Sequence, residues 1–157
     1  ERHASKRNEH ERWLEKTEQG CQFFISQAVY NAQATIDLIT SYARSCKALS
    51  ISPKRIILTF TPCGGEKTLE FMQWLGISVP EATKWRMLDS ANPLSESVRI
   101  CRENLDLILQ SCAHLNVPLG LNIESLTNRK EEIDASINLY RLLKATMELN
   151  LAEKQIA

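Results

Sequence analysis

The sequence predicts an α/β fold built on parallel strands, and three observations carry that expectation. Short runs rich in β-branched and aromatic residues occur at 21–27, 55–60 and 119–123. Longer segments with apolar residues at three- and four-residue steps separate and follow them. The short runs are nearly continuous in apolar character rather than alternating, the pattern of strands buried on both faces. Strands and helices in this order are joined by right-handed crossovers into a parallel sheet.

Each element has its own signal. Residues 5–19 form a charged helix with Trp13 and Leu14 towards a core, and Gly20 opens the first strand. The segment 32–49 puts Ile36, Ile39, Tyr42, Ala43 and Cys46 on one helical face. Pro53 precedes the second strand, and a short helix over 66–75 stops at Gly76. Pro80 opens a further turn or helix up to residue 88. The segment 93–115 aligns Val98, Cys101, Leu105, Ile108, Leu109 and Cys112, and Pro118 punctuates the start of the third strand. The segment 131–149 aligns Ile133, Ile137, Tyr140, Leu143 and Met147. Three strands alone would leave two open sheet edges, so cover from the rest of a domain or another chain is expected.

Length and composition narrow the function. The chain has 157 residues, with 19 Lys+Arg against 19 Asp+Glu. A zero net charge argues against a general nucleic-acid binder. With 43% apolar residues, disorder is not expected. No apolar stretch suits a membrane span, and the charged N-terminus is not a secretory signal. The first residue is Glu1 rather than Met, which suggests a processed, excised or truncated chain. The five cysteines are odd in number and contain no CxxC, so free thiols in a reducing cytoplasm are expected, with no metal site.

Several motifs invite chemistry. The segment 62–68, PCGGEKT, has adjacent glycines but not the spacing of a phosphate loop, and reads as a strand-to-helix turn. Cys63 follows a strand end, yet no histidine is placed to activate it, so a buried thiol is the simpler reading. Gln27 closes an apolar strand, where a carboxamide can donate and accept towards an amide or pterin-like edge, or can orient a loop. Arg129 could grip a carboxylate or be an ordinary solvated residue at a helix start. Phe71 taken alone reads as core packing.

Taken in order, these segments resemble one family. From Gly20 to about Leu143 the chain is similar to the C-terminal part of the catalytic barrel of methylenetetrahydrofolate reductase. The resemblance rests on residues 20–30 (GCQFFISQAVY), 56–62 (IILTFTP), 71–80 (FMQWLGISVP) and 117–129 (VPLGLNIESLTNR), with Glu1-Arg2-His3 similar to the end of a further family segment. It implies the last three strands of a TIM (β/α)8 barrel, with residues 1–157 a single partial domain. A complete barrel takes roughly 250 residues, so roughly 100 would lie outside this chain. The remainder of the barrel or another subunit would cover the open edges.

The implied activity is a cytoplasmic, flavin-dependent oxidoreductase of one-carbon metabolism and methionine biosynthesis. NADH or NADPH would reduce FAD, which would reduce 5,10-methylenetetrahydrofolate to 5-methyltetrahydrofolate. The resemblance assigns Gln27, Phe71 and Arg129 to the folate, and His3, Glu9 and Lys16 to FAD. It assigns no catalytic residue within this chain, so the isolated segment would be inactive. Ala28, Val29 and Tyr30 replace an aromatic triplet, and Glu124 replaces an aromatic; these departures bear on folate specificity. The alternatives are a non-enzymatic half-barrel interaction module and a folate-dependent methyltransferase-like barrel. Neither nucleic acid nor membrane is expected as a partner.

Overall fold

The computed structural model describes residues 8–156. In chain order the elements are α1 (Glu9–Glu18), β1 (Phe23–Ala28), α2 (Ala32–Ala48), β2 (Arg55–Phe60), α3 (Glu66–Trp74), α4 (Glu81–Leu88), α5 (Pro93–Cys112), a 3-10 turn (Ala113–Leu115), β3 (Leu119–Ile123) and α6 (Lys130–Ile156). The strands form one parallel sheet in the order β1-β2-β3.

Local chemistry sets the boundaries. Asn31 caps α2 by accepting the Ala34 N–H at 3.0 Å, and Asn92 caps α5 by accepting that of Ser95 at 3.0 Å. Pro93 occupies the first turn of α5, where its missing N–H costs nothing. Gly76, at φ 81°, ends α3: its N–H bonds Gln73 O and the Ile77 N–H bonds Met72 O.

The core lies on one side of the sheet. Phe24, Ile56, Leu58 and Phe60 point into it and pack with Tyr42, Ile39, Leu105 and Ile108 from α2 and α5. Trp13 of α1 stacks on Phe24 with ring centroids 4.8 Å apart and meets the Tyr42 edge at 5.4 Å. Each fully buried aliphatic side chain of this kind contributes about 1.5–3 kcal/mol by leaving water. On the opposite face Phe23 is 52% and Ile25 57% exposed, Ile57 is half-buried and Thr59 is buried.

Three expectations are corrected here. The fold is a small two-layer α/β domain with a three-stranded parallel sheet and six α-helices, not a portion of a TIM (β/α)8 barrel. β1 and β3 are its two edges. The described sheet stands open at both edges, with its helices packed over one face. The strands are also not buried on both faces, since β1 alternates and every residue of β3 is half-buried. Finally, α6 buries Leu143 and packs Met147 on the core as expected, but the rest of its inward face differs. Glu132, Leu139, Leu143 and Thr146 are buried, while Ile133, Ile137 and Tyr140 are exposed.

Candidate functional site at the strand ends

A bulge at the end of β1 prepares the site. Ile25 pairs with Ile57, but Ala28 pairs with Thr59, so β1 carries one extra residue around Ser26 and Gln27. The Ser26 hydroxyl fills the broken ladder, accepting the Thr59 N–H at 3.0 Å and donating to Gln27 O at 2.7 Å. Gln27 is thereby re-aimed, and its Nε2 donates to Leu75 O at 3.1 Å. Because that partner is a carbonyl, the amide NH2 must face it. The Gln27 side-chain carbonyl oxygen has no partner among the described residues.

α3 lies across the C-terminal ends of the strands, tied at both ends. Its last turn meets β1 through Gln27, and Asn31 Nδ2 bonds Ser78 Oγ at 3.2 Å just beyond the helix. Its first turn meets α6, where Thr68 Oγ1 donates to Glu132 Oε1 at 2.7 Å. Phe71 sits one turn before Leu75, on the same helical face. It is 39% exposed and stacks on Trp74, which is 78% exposed, with centroids 5.8 Å apart and planes 13° from parallel. Gln27 and Phe71, both singled out from sequence, are thus brought to the same end of α3. The expectation of simple core packing for Phe71 does not hold.

Arg129 lies at the other end. Its carbonyl accepts the Glu132 and Ile133 N–H groups that begin α6, at 3.1 and 3.0 Å. The side chain is exposed and pairs with no carboxylate among the described residues. Thr68 and Leu75 bracket a span of about 10 Å along α3.

The loop glycines have separate duties. A Cβ on Gly64 would run into Glu132 Oε1, and Gly65 sits at φ 152°. The loop is the strand-to-helix turn that the sequence indicated, and the structure packs it on the Glu132 carboxylate. Cys63 is buried, and its thiol donates to Gly65 O at 3.5 Å. Burial, with the nearby Glu132 charge, pushes the thiol up to about 11. Such a thiol is protonated at neutral pH and is not a nucleophile.

Asn122 and Glu124 complete the lip. Asn122 Nδ2 donates to Thr59 Oγ1 at 3.2 Å and to Glu124 Oε1 at 2.8 Å. Among the departures from the family pattern, only Glu124 is exposed. Val29 and Tyr30 turn into the core, where the Tyr30 hydroxyl donates to Thr61 O at 2.6 Å. Ala28 is half-buried at the end of β1.

Of the residues assigned to FAD, two are described, both on α1. His3 lies outside the described residues. Glu9 accepts from Arg12 Nη1 at 3.2 Å on α1. Lys16 is two turns further along, where its carbonyl accepts the Cys21 N–H just before β1 begins. That is the opposite end of a six-residue strand from Gln27, roughly 17 Å away. No cluster among the described residues could hold a metal, and no described helix is long and apolar enough to cross a membrane. Two shallow grooves, of 310 Å³ between α5 and α6 and 560 Å³ beside the end of α1, are not lined by Gln27, Phe71 or Arg129.

The sequence reading missed Glu132 and Trp74. Glu132 looks like a routine acidic residue in a helix's first turn, and its burial against Gly64 is purely tertiary. Asn31 did carry a signal, since an Asn before an apolar helical run marks an N-cap.

No family model matches the chain, and no curated protein does. Among solved structures, the chain is similar to an uncharacterized protein from Clostridium thermocellum that binds two copies of 5-methyl-5,6,7,8-tetrahydrofolic acid. The two are 37% identical with a TM-score of 0.81, over 96% of this chain and 51% of that one. The chain therefore spans about half the length of that protein, and the two share a fold over nearly all of this chain.

Proposed function

We propose that this chain binds a reduced folate at the C-terminal ends of its strands. The observation that carries the reading is that Gln27 is tied to Leu75 at the end of the helix that carries the exposed Phe71–Trp74 stack. It occurs in a chain similar along 96% of its length to a protein that binds 5-methyltetrahydrofolate. A pterin edge offers amide-like donors and acceptors, which the free Gln27 carbonyl and second N–H complement. The exposed aromatic pair offers a face for the ring. Arg129, across α3, would take the carboxylate tail as a bidentate partner.

Calorimetric titration with 5-methyltetrahydrofolate tests this. Binding by the chain is expected, weakened about tenfold by Gln27→Ala, the loss of roughly one buried hydrogen bond. No binding, or a Gln27→Ala variant with unchanged affinity, would falsify the reading.

The finer proposal, a FAD-dependent methylenetetrahydrofolate reductase, is supported by the ordered segments of the resemblance. The neighbour's ligand is that reaction's product, but it would equally be the donor for a methyltransferase. A visible flavin spectrum on the protein purified from its source distinguishes the reductase, and its absence favours methyl transfer. The third reading, a non-enzymatic interaction module, is supported by the exposed Phe23 and Ile25. It predicts self-association or a heterocomplex in sedimentation, and a monomer counts against it.

A further inference from the structure

We propose that Glu132 is a positioning residue of this site, a buried carboxylate that couples the helix carrying Phe71 to the loop carrying Arg129. The proposal rests on the folate reading for what those two residues touch, but its geometry is independent of any ligand.

Glu132 is only 2% exposed. Each of its oxygens serves a different element. Oε1 accepts from Thr68 Oγ1 of α3 at 2.7 Å, and Oε2 accepts from Thr127 Oγ1 of the β3–α6 loop at 2.8 Å. Thr127 Oγ1 in turn accepts the Arg129 N–H at 3.3 Å, while the Glu132 N–H donates to Arg129 O at 3.1 Å. The Arg129 backbone is thus held on both sides by groups that Glu132 organises. The β2–α3 loop closes over the same carboxylate, because Gly64 has no Cβ to meet it.

A carboxylate is a costly way to fill buried space, since desolvation opposes it and an apolar side chain would pack as well. What it supplies is two strong acceptors in a rigid fork. Two hydroxyls on separate elements can donate to it at once, which fixes α3 relative to the loop. No other side chain among the described residues bridges α3 to the β3–α6 loop by hydrogen bonds.

The test is hydrogen exchange on the full chain without ligand, comparing wild type with Thr68→Val, Thr127→Val and Glu132→Gln. Coupling predicts effects that cross between elements. Thr68→Val, on α3, should speed exchange over residues 124–129, and Thr127→Val should speed it over 66–74, each about tenfold, as loss of one buried hydrogen bond allows. Glu132→Gln retains a fork that can accept from one threonine and donate to the other, so it should show the smallest change. Effects confined to the mutated element overturn the proposal. Titration of the same proteins with 5-methyltetrahydrofolate should show affinity falling about tenfold in both threonine variants. Cross-element exchange without any wild-type folate binding sinks the folate reading and leaves the coupling standing. Folate binding with confined exchange does the reverse.

Discussion

The two faces of the sheet are made from the same strands and differ by one residue in phase, yet they live in different environments. On one face Phe24, Ile56, Leu58 and Phe60 are sealed under α1, α2 and α5. On the other, Phe23 and Ile25 stand in solvent beside Gln27 and the Asn122–Glu124 pair. Stability resides in the first face, while the site proposed for folate lies at the C-terminal rim of the second. A residue's hydrophobicity did not decide which role it took. The decision came from whether a helix was available to cover it.

The contrast can be broken most severely at Leu58. Leu58→Ala should lower unfolding free energy by about 2–5 kcal/mol, read from urea denaturation, because a rigid core cannot collapse into the space. A loss no larger than that of an exposed site would mean the helical layer is not the stabilising one. Tyr30→Phe comes next, at about 1–3 kcal/mol, since it leaves the buried Thr61 carbonyl one donor short.

Alkaline pH offers a milder probe of the sealed layer. Burial holds the thiols of Cys63 and Cys101 up to about 11 and about 12, against an ordinary value near 9. The unfolded chain releases these protons first, so it binds fewer of them between pH 9 and 12. The thiols' contribution is complete below about pH 9 and should be lost progressively as pH rises through 11 and 12. Cys63→Ala and Cys101→Ala should flatten that decline, and an unchanged slope would exclude these thiols as its cause. In the native protein exposed Cys21 should react quickly with a thiol reagent, and Cys46, Cys63, Cys101 and Cys112 only on unfolding.

Smaller effects sharpen the comparison. Arg86 clamps α4 to α5, with Nε on Glu96 at 2.6 Å and a bidentate grip on Glu103 at 2.6 and 3.0 Å. The hydrogen bonds to Arg86 hold the Glu103 carboxyl below its usual range. Since Arg86 is itself exposed, Arg86→Ala should cost only about 1 kcal/mol or less, and less again in high salt. Ile25→Ala should fall within about 0.5 kcal/mol of wild type in the same denaturation experiment. A cost near that of Leu58→Ala would show that the open face is covered in solution.

The order of elements was legible because each carries a local signal. Gly76 stops α3, Pro93 opens α5, and Gly64-Gly65 forms a turn between strand and helix. Gln27 and Phe71 were legible as candidates, and the structure adds that Gln27 bonds Leu75, one turn after Phe71. Lys16 and Gln27 stand at opposite ends of the sheet, a separation that no spacing along the chain reveals. α6 shows the limit most clearly. Periodicity pointed to Ile133, Ile137 and Tyr140, which are exposed, whereas the buried face runs through Glu132, Leu139 and Thr146.

By itself, then, the sequence determined the strand and helix order, the parallel α/β class and the free thiols, because capping, chain reversal and helical or strand periodicity act over a few residues. The tertiary structure alone decided that Phe23 and Ile25 are left uncovered, which residues of α6 are buried, and that Glu132 lies between two threonines 59 positions apart. Those outcomes depend on which surfaces find partners across the fold, and no local pattern encodes that.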